Sequence, residues 1–321
     1  MWQGLMRFCV LCFVSASVLA QQPDFEQWRS ELRQEALEKG ISAQTFDRAF
    51  EGVEPIPRII ELDRKQPEFT LTLDEYVSRV VPQRRINLGK QRLDEHRDLL
   101  QSVAAEYGVQ PRFLVAFWGI ETDFGRLTGG YPVIAALSTL AYDGRRSQFF
   151  RNQLLDALEI LEAGHIEPDE MTGSWAGAMG QAQFMPSTFR AYAVDFDGDG
   201  KIDLWHSKAD VFASAANYLA QVGWRDDLTW GREVKLPPDF DESLIGLETQ
   251  KSLEQWDRLG VRRLSGNNLP ERELMASLVR PDEGKFARTF LVYDNYRAIL
   301  DWNRSHKFAI AVGTLADAIA R

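Results

Sequence analysis

The chain has 321 residues, 45% of them hydrophobic, enough for one large or two modest packed domains. Its 47 acidic against 37 basic residues give a formal charge of -10, which excludes the broad basic surface that nucleic-acid binding needs. Nine tryptophans fill the core first, and any left exposed offer flat faces on which sugar rings stack.

Residues 1–20 read as a secretory signal peptide: Arg7, an apolar run from Phe8 to Val14, then small residues up to Ala20, after which cleavage is expected. The run is short for a membrane span, which takes roughly 20 apolar residues. Neither Cys9, after Phe8, nor Cys12, after Leu11, has the small preceding residue that lipid attachment requires. The expectation is therefore export to the periplasm without a stable membrane anchor. Both cysteines leave with this segment, so no disulfide, thiolate metal site or cysteine nucleophile is expected in the remainder.

Residues 24–110 carry helical signals. Phe25, Trp28, Leu32, Ala36 and Leu37 keep helical spacing until Gly40, and a second helix is expected from Ser42 to Phe50 before the turn Glu54-Pro55-Ile56-Pro57. A polar helical stretch then runs to Tyr107, with interruptions expected at Pro82 and Gly89. From Pro111 to Gly223 the helices become more apolar. Strands are expected at Arg232–Leu236, Glu273–Val279 and Arg288–Tyr293, with a short helix at Ser252–Leu259 and a final helix from Arg297 to Ile319. The pattern predicts a mainly α (α+β) chain in which the mixed portion is an insertion in a helical body.

Three segments carry chemistry. Pro111 suits the first turn of a helix, and Phe113 to Gly125 then reads FLVAFWGIETDFG, apolar on every face until Glu121 near its end. Burial and the negative end of the helix dipole both disfavour a carboxylate there, so Glu121 is expected to hold its proton near neutral pH and to serve as an acid. The structural alternative is a buried glutamate fixed by hydrogen bonds. Asp123, two residues on, points elsewhere and is expected to cap the helix or meet solvent.

The second segment, Gly173 to Thr188, is GSWAGAMGQAQFMPST. Its small residues permit close approach of a ligand, Ser174, Gln181 and Gln183 offer neutral hydrogen bonds, and Phe184 offers a platform. It reads equally as a tight turn before a helix starting at Ser187. In the third, Asp195, Asp197 and Asp199 alternate before Gly200, as at the start of an EF-hand loop. Lys201 would add its carbonyl. The twelfth position holds His206 where a glutamate is usual, and Asp210 could close a longer loop.

Together with YDGRR at 142–146, ANYL at 216–219, RKQPEF at 64–69 and YDNYRAILDWNRS at 293–305, these segments resemble the lytic murein transglycosylase B family over nearly the whole chain after the leader. The resemblance implies a lysozyme-like catalytic core at 106–230, a helical region at 21–105, a small β-containing region at 231–292 and helices returning to the core at 293–321. It implies cleavage of the β-1,4 MurNAc–GlcNAc bond of peptidoglycan with 1,6-anhydromuramyl ends, with Glu121 as the sole catalytic acid/base. Tyr76, Arg145, Arg146, Ser174, Gln183, Phe184, Tyr218 and Asn295 fall where that family contacts glycan or stem peptide. It further implies no catalytic cofactor, a structural Ca2+ at Asp195, Asp197, Asp199, Lys201 and Asp210, and other cell-wall enzymes as candidate partners. Trp302 departs from the family's usual tyrosine. The alternatives are a noncatalytic peptidoglycan-binding protein and a hydrolytic muramidase.

Overall fold

Short capping residues mark where the chain turns into helix. Asp24 accepts from the amide of Gln27 and opens α1 (Phe25–Glu38), whose Trp28, Leu32 and Ala36 point into the core; Ser42 caps α2 (Ala43–Ala49) in the same way. Proline opens α3 (Pro57–Arg64), and a Thr72/Glu75 capping box opens α4 (Leu73–Val80). The computed structural model describes residues 24–65, 71–284 and 287–321; the expected leader and residues 66–69 of the RKQPEF motif lie outside them.

Pro82 does break the chain, ahead of α5 (Gln83–Glu95), but Gly89 does not. It lies buried inside α5, where an added Cβ would come within 2.7 Å of the Ile319 side chain, so the glycine serves close helix packing. The break falls instead at His96, before α6 (Arg97–Tyr107). Gly108, with φ 70, ends α6 in the left-handed conformation that glycine adopts without steric cost.

Pro111 then starts α7 (Pro111–Thr122), buried continuously from Phe113 to Gly119. The strand β1 (Tyr131–Pro132), α8 (Val133–Tyr142), α9 (Ser147–Glu162), strand β2 (Thr172–Gly173), α10 (Pro186–Tyr192) and α11 (Lys208–Gln221) follow, with β1 antiparallel to β2. One continuous hydrophobic core joins α1, α2, α7, α8, α9 and α11 to the C-terminal helices. The fold is lysozyme-like and mainly helical, with a small β-containing insertion.

That insertion comprises β3 (Gly231–Lys235), β4 (Gly246–Ser252), α12 (Leu253–Arg258), β5 (Arg262–Arg263), β6 (Met275–Val279) and β7 (Thr289–Val292), in the antiparallel order β4-β6-β7-β3-β5. It has its own core around Trp256, whose indole donates to the Ala276 carbonyl at 2.9 Å. The strands expected near 232, 273 and 288 are present. β4 was not legible because GLETQKS is polar on both faces; pairing with β6 holds it as an edge strand. The helical return expected at the C-terminus consists of α13 (Asp294–Trp302) and α14 (His306–Ile319), separated where Ser305 caps the second.

α14 lies along α7, and Trp230 closes the seam from the insertion side. The Trp230 indole donates to Asp317 at 3.1 Å, and its ring occupies the space over Gly313, where a Cβ would stand 2.2 Å from ring carbon. On helix propensity alone Gly313→Ala would stabilise by about 0.5–1 kcal/mol. Displacement of the Trp230 ring is expected to reverse that sign, with a net loss of about 1–3 kcal/mol in chemical denaturation; an unchanged or raised midpoint would contradict this packing.

Candidate active site

Solvent is excluded from α7 between Phe113 and Gly119, and protein contacts position its C-terminal end. Asp123 takes left-handed φ 50 and Phe124 φ 61, reversing the chain after Thr122. Thr122 donates its hydroxyl to the Gln181 carbonyl at 3.0 Å and accepts from the Gly125 amide at 3.1 Å. Gln181, 4% exposed, accepts from the Trp118 indole at 3.0 Å and donates to the Trp205 carbonyl at 2.6 Å. This corrects the expectation that Gln181 offers its amide to a sugar: it ties α7 to the 173–188 segment and to the acidic loop beyond.

At this pinned end Glu121 keeps part of its surface open while protein surrounds its carboxyl. Desolvation raises its pKa to about 7, against the opposing effect of a hydrogen bond from the Trp302 indole to Oε1 at 2.8 Å. Trp302 in turn rests on Phe117, Phe184 and Tyr218, with ring centroids 4.6, 5.3 and 5.1 Å away. Tyr218 also meets Tyr192 at 4.7 Å, and burial pushes its hydroxyl up to about 12, leaving it a neutral hydrogen-bonding group. Phe184 is only 2% exposed, so it is no platform; it backs the partly open rings of Tyr218 and Trp302. The sequence reading noted Trp302 only as a departure and missed its bond to Glu121, because the two are joined across 181 residues by α13 folding back.

Asp123 has the opposite environment. Burial alone would raise its pKa, but hydrogen bonds from Arg126, Arg84 and Arg85 together hold the carboxyl below the usual range. Arg84 bonds both oxygens at 2.7 and 2.8 Å, Arg126 one at 2.8 Å and Arg85 one at 3.2 Å. Of the two expected roles, Asp123 does cap α7, as its C-cap residue, whereas the solvent contact is absent, since the residue is 2% exposed. It is an ionised anchor for three guanidiniums.

Ser174 and Gln183 lie half-buried on the turn beside this helix end. The Ser174 hydroxyl accepts from the Ala178 amide at 3.0 Å, and the Gln183 amide donates to the Thr128 and Gly180 carbonyls at 2.9 and 3.0 Å. A Cβ at Gly129 would fall 2.0 Å from the Gly173 carbonyl oxygen, so glycine there lets the loop after α7 lie against Ser174. Tyr76 is half-buried on α4. Arg145 and Arg146 both grip buried Asp63 at the end of α3, at 2.9 and 2.6 Å, and remain about half exposed.

Asn295 is a correction. It is fully buried, accepting from the Arg225 amide at 2.7 Å and donating to the Arg225 and Leu228 carbonyls at 2.8 and 3.0 Å, which leaves it no face for a glycan.

In the acidic loop, carboxylate oxygens of Asp195, Asp197 and Asp210 come within 4.8 Å of one another. Asp210 lies in the first turn of α11, and its oxygens accept from the amides of Phe196 and Asp203 at 2.8 and 2.7 Å. Desolvation, with the charges of Asp197 and Asp195, raises its pKa. Three hard oxygen donors in this spacing fit a calcium ion. Asp199 is not drawn into the group; it accepts from the Lys201 amide at 2.8 Å.

The model of the transglycosylase SLT domain family matches residues 24–317. The chain belongs to this family. Membrane-bound lytic murein transglycosylase B of Escherichia coli K12 is 34% identical over 232 residues, 71% of this chain and 62% of that relative, so the match spans less than two thirds of the relative's length. SltB3 from Pseudomonas aeruginosa, solved in complex with NAG-NAM-pentapeptide, superposes with a TM-score of 0.90 at 49% identity, covering 92% of this chain and 79% of that one. The same protein has been solved with NAG-anhNAM-pentapeptide. Lytic transglycosylase Slt35 of Escherichia coli in complex with calcium matches with a TM-score of 0.78 at 28% identity, over 94% of each chain. Among the described residues no helix is long and apolar enough to cross a membrane.

Asn295→Ala is expected to lower stability by about 1–3 kcal/mol, because it takes the partner from the part-buried amide and carbonyl of Arg225, while the Leu228 carbonyl keeps its bond from Gln110 at 3.0 Å. Activity per folded molecule should stay close to wild type; a selective rise in KM with unchanged melting would restore Asn295 as a substrate contact.

Proposed function

We propose that this family member is a lytic transglycosylase that cuts the β-1,4 bond between N-acetylmuramic acid and N-acetylglucosamine in peptidoglycan, with Glu121 as its one acid/base. The observation that carries the reading is the Glu121 carboxyl at the end of a buried helix, raised by desolvation to about 7 with only a neutral donor beside it. Protonated, Glu121 gives its proton to the bridging oxygen as the C1–O bond breaks and positive charge develops at muramyl C1. Its carboxylate then removes the proton from the muramyl C6 hydroxyl, whose oxygen bonds to C1 and closes the 1,6-anhydro ring. Glu121 ends protonated again and no water is consumed.

Asp123 supports this choice over hydrolysis. A hydrolase needs a second free carboxylate, either as nucleophile or to activate water. Three arginines occupy Asp123. The similarity to SltB3, solved with an anhydro-muramyl pentapeptide, points to the same product class. We assign Tyr76, Ser174, Gln183 and Tyr218 to the glycan, and Arg145 and Arg146 to acidic stem-peptide groups, with Phe184 and Asn295 as supports. The regions 21–105, 106–230, 231–292 and 293–321 are read as units of one cell-wall enzyme exported to the periplasm, where other cell-wall enzymes are candidate partners.

We further propose that Asp195, Asp197 and Asp210 hold Ca2+ for stability, with the Lys201 carbonyl completing the loop. Its charge would offset three crowded carboxylates, and the similarity to calcium-bound Slt35 supports it. The ion takes no part in the proton transfers.

Glu121→Gln should fold normally and lose about 10²–10⁴-fold in glycan cleavage. Because the initiating form is protonated, wild-type activity should fall as pH rises through about 7. Digestion of sacculi in H₂¹⁸O should leave new muramyl ends unlabelled; stoichiometric label with reducing ends would make the enzyme a hydrolase. Titrating chelated protein with calcium should raise the melting temperature progressively, whereas an unchanged transition in calcium-free protein would remove the ion from the account.

A further inference from the structure

We infer that Trp302 is a positioning residue that confines the acid proton of Glu121 to one carboxyl oxygen, Oε2. The inference rests on Glu121 being the acid, and it concerns how the proton is aimed.

An indole N–H donates and has no lone pair with which to accept. At 2.8 Å from Trp302 Nε1, Oε1 must therefore act as an acceptor whether Glu121 is ionised or neutral. In a neutral carboxyl the carbonyl oxygen is the better acceptor and the hydroxyl oxygen the poorer one. Placing the proton on Oε1 would spend the indole bond on that poorer acceptor, so the proton settles on Oε2. A tyrosine hydroxyl, which both donates and accepts, would impose no such direction.

The indole is built to hold this pose. Phe117 of α7, Phe184 of the 173–188 turn and Tyr218 of α11 pack on it from three separate elements. The Asn303 amide, bonded to the Ile299 carbonyl at 3.0 Å, closes α13 immediately after it, and Ser305 starts α14 two residues later. Of the charged groups on the neighbouring elements, Asp301 of α13 adds to burial in raising the pKa of Tyr218, and Arg84, Arg85, His306 and Lys307 have partners of their own. Arg84 and Arg85 of α5 face Asp123, His306 of α14 bonds Tyr296 at 2.7 Å, and Lys307 pairs with Asp282 at 3.4 Å. Burial and the indole bond are what set the proton affinity of Glu121.

The test reads both partners of the bond. With ¹⁵N-labelled tryptophan, the Trp302 indole resonance should move with a midpoint near the Glu121 value in wild type and stay flat in Glu121→Gln. A flat wild-type resonance between pH 5 and 9 overturns the inference without any change at Trp302. In Trp302→Phe, ¹³C-labelled glutamate should show the Glu121 titration displaced upward by about one unit, since a donor to the carboxylate has been removed. The infrared carbonyl band of neutral Glu121 should rise in frequency as its carbonyl loses the indole donor. On glycan, kcat should fall about tenfold with KM within about twofold, and Trp302→Tyr should recover part of it. An unmoved titration or carbonyl band in folded Trp302→Phe refutes the assignment of the proton. Full activity in Glu121→Gln would instead remove the acid reading beneath it, leaving the spectroscopic result in place.

Discussion

α7 passes through the middle of the core, buried on every side from Phe113 to Gly119, and the site inherits its properties from that burial. Helices α5, α6, α11 and α14 all pack on it, so its last turn is fixed by protein on several sides. An end so enclosed cannot satisfy its backbone and side chains with water. Thr122 and Trp118 accordingly bond to Gln181, and the reversal at Asp123 and Phe124 is folded back onto the helix. The same exclusion of water lifts the proton affinity of Glu121.

Two acidic residues two positions apart therefore have opposite states. Glu121 is offered one neutral donor, Trp302, too little to offset desolvation, and it stays protonated towards neutrality. Asp123 exposes almost none of its surface, yet it is ionised: its carboxyl is less desolvated than that of Glu121, and three guanidiniums supply what water would have supplied. Desolvation and the charge of the neighbours together decide which carboxyl can give up a proton at neutral pH.

The remaining parts hold this pair in place. The aromatic group of Phe117, Phe184, Tyr192 and Tyr218 fixes Trp302 and leaves partly open ring surface beside the carboxyl. Gln181 links the helix end to Leu204 and Trp205, and so to the acidic loop. Asn295 and Trp230 join the β insertion to α13 and α14, which carry Trp302 back to the site.

By itself the sequence determined the fold class, the course of α7 and the candidacy of Glu121, because these depend on local properties: proline at a first turn, an unbroken apolar run, one carboxyl at its end. Glycine-rich and acidic turns were legible for the same reason. The roles of Gln181, Phe184, Asn295 and Trp302 were not, nor were the arginine partners of Asp123, whose capping position was. Gln181 and Phe184 were given ligand-facing roles from their residue type, Asn295 one from the family resemblance, and Trp302 none; their actual roles come from partners far along the chain, Trp118 for Gln181, Trp302 for Phe184, Arg225 for Asn295 and Glu121 for Trp302, as the charge state of Asp123 comes from Arg84. A polar side chain has the same local signature whether it faces a ligand or a buried backbone amide. Only the tertiary structure brings the partner within 3 Å, and that contact decides between binding a sugar and holding the fold.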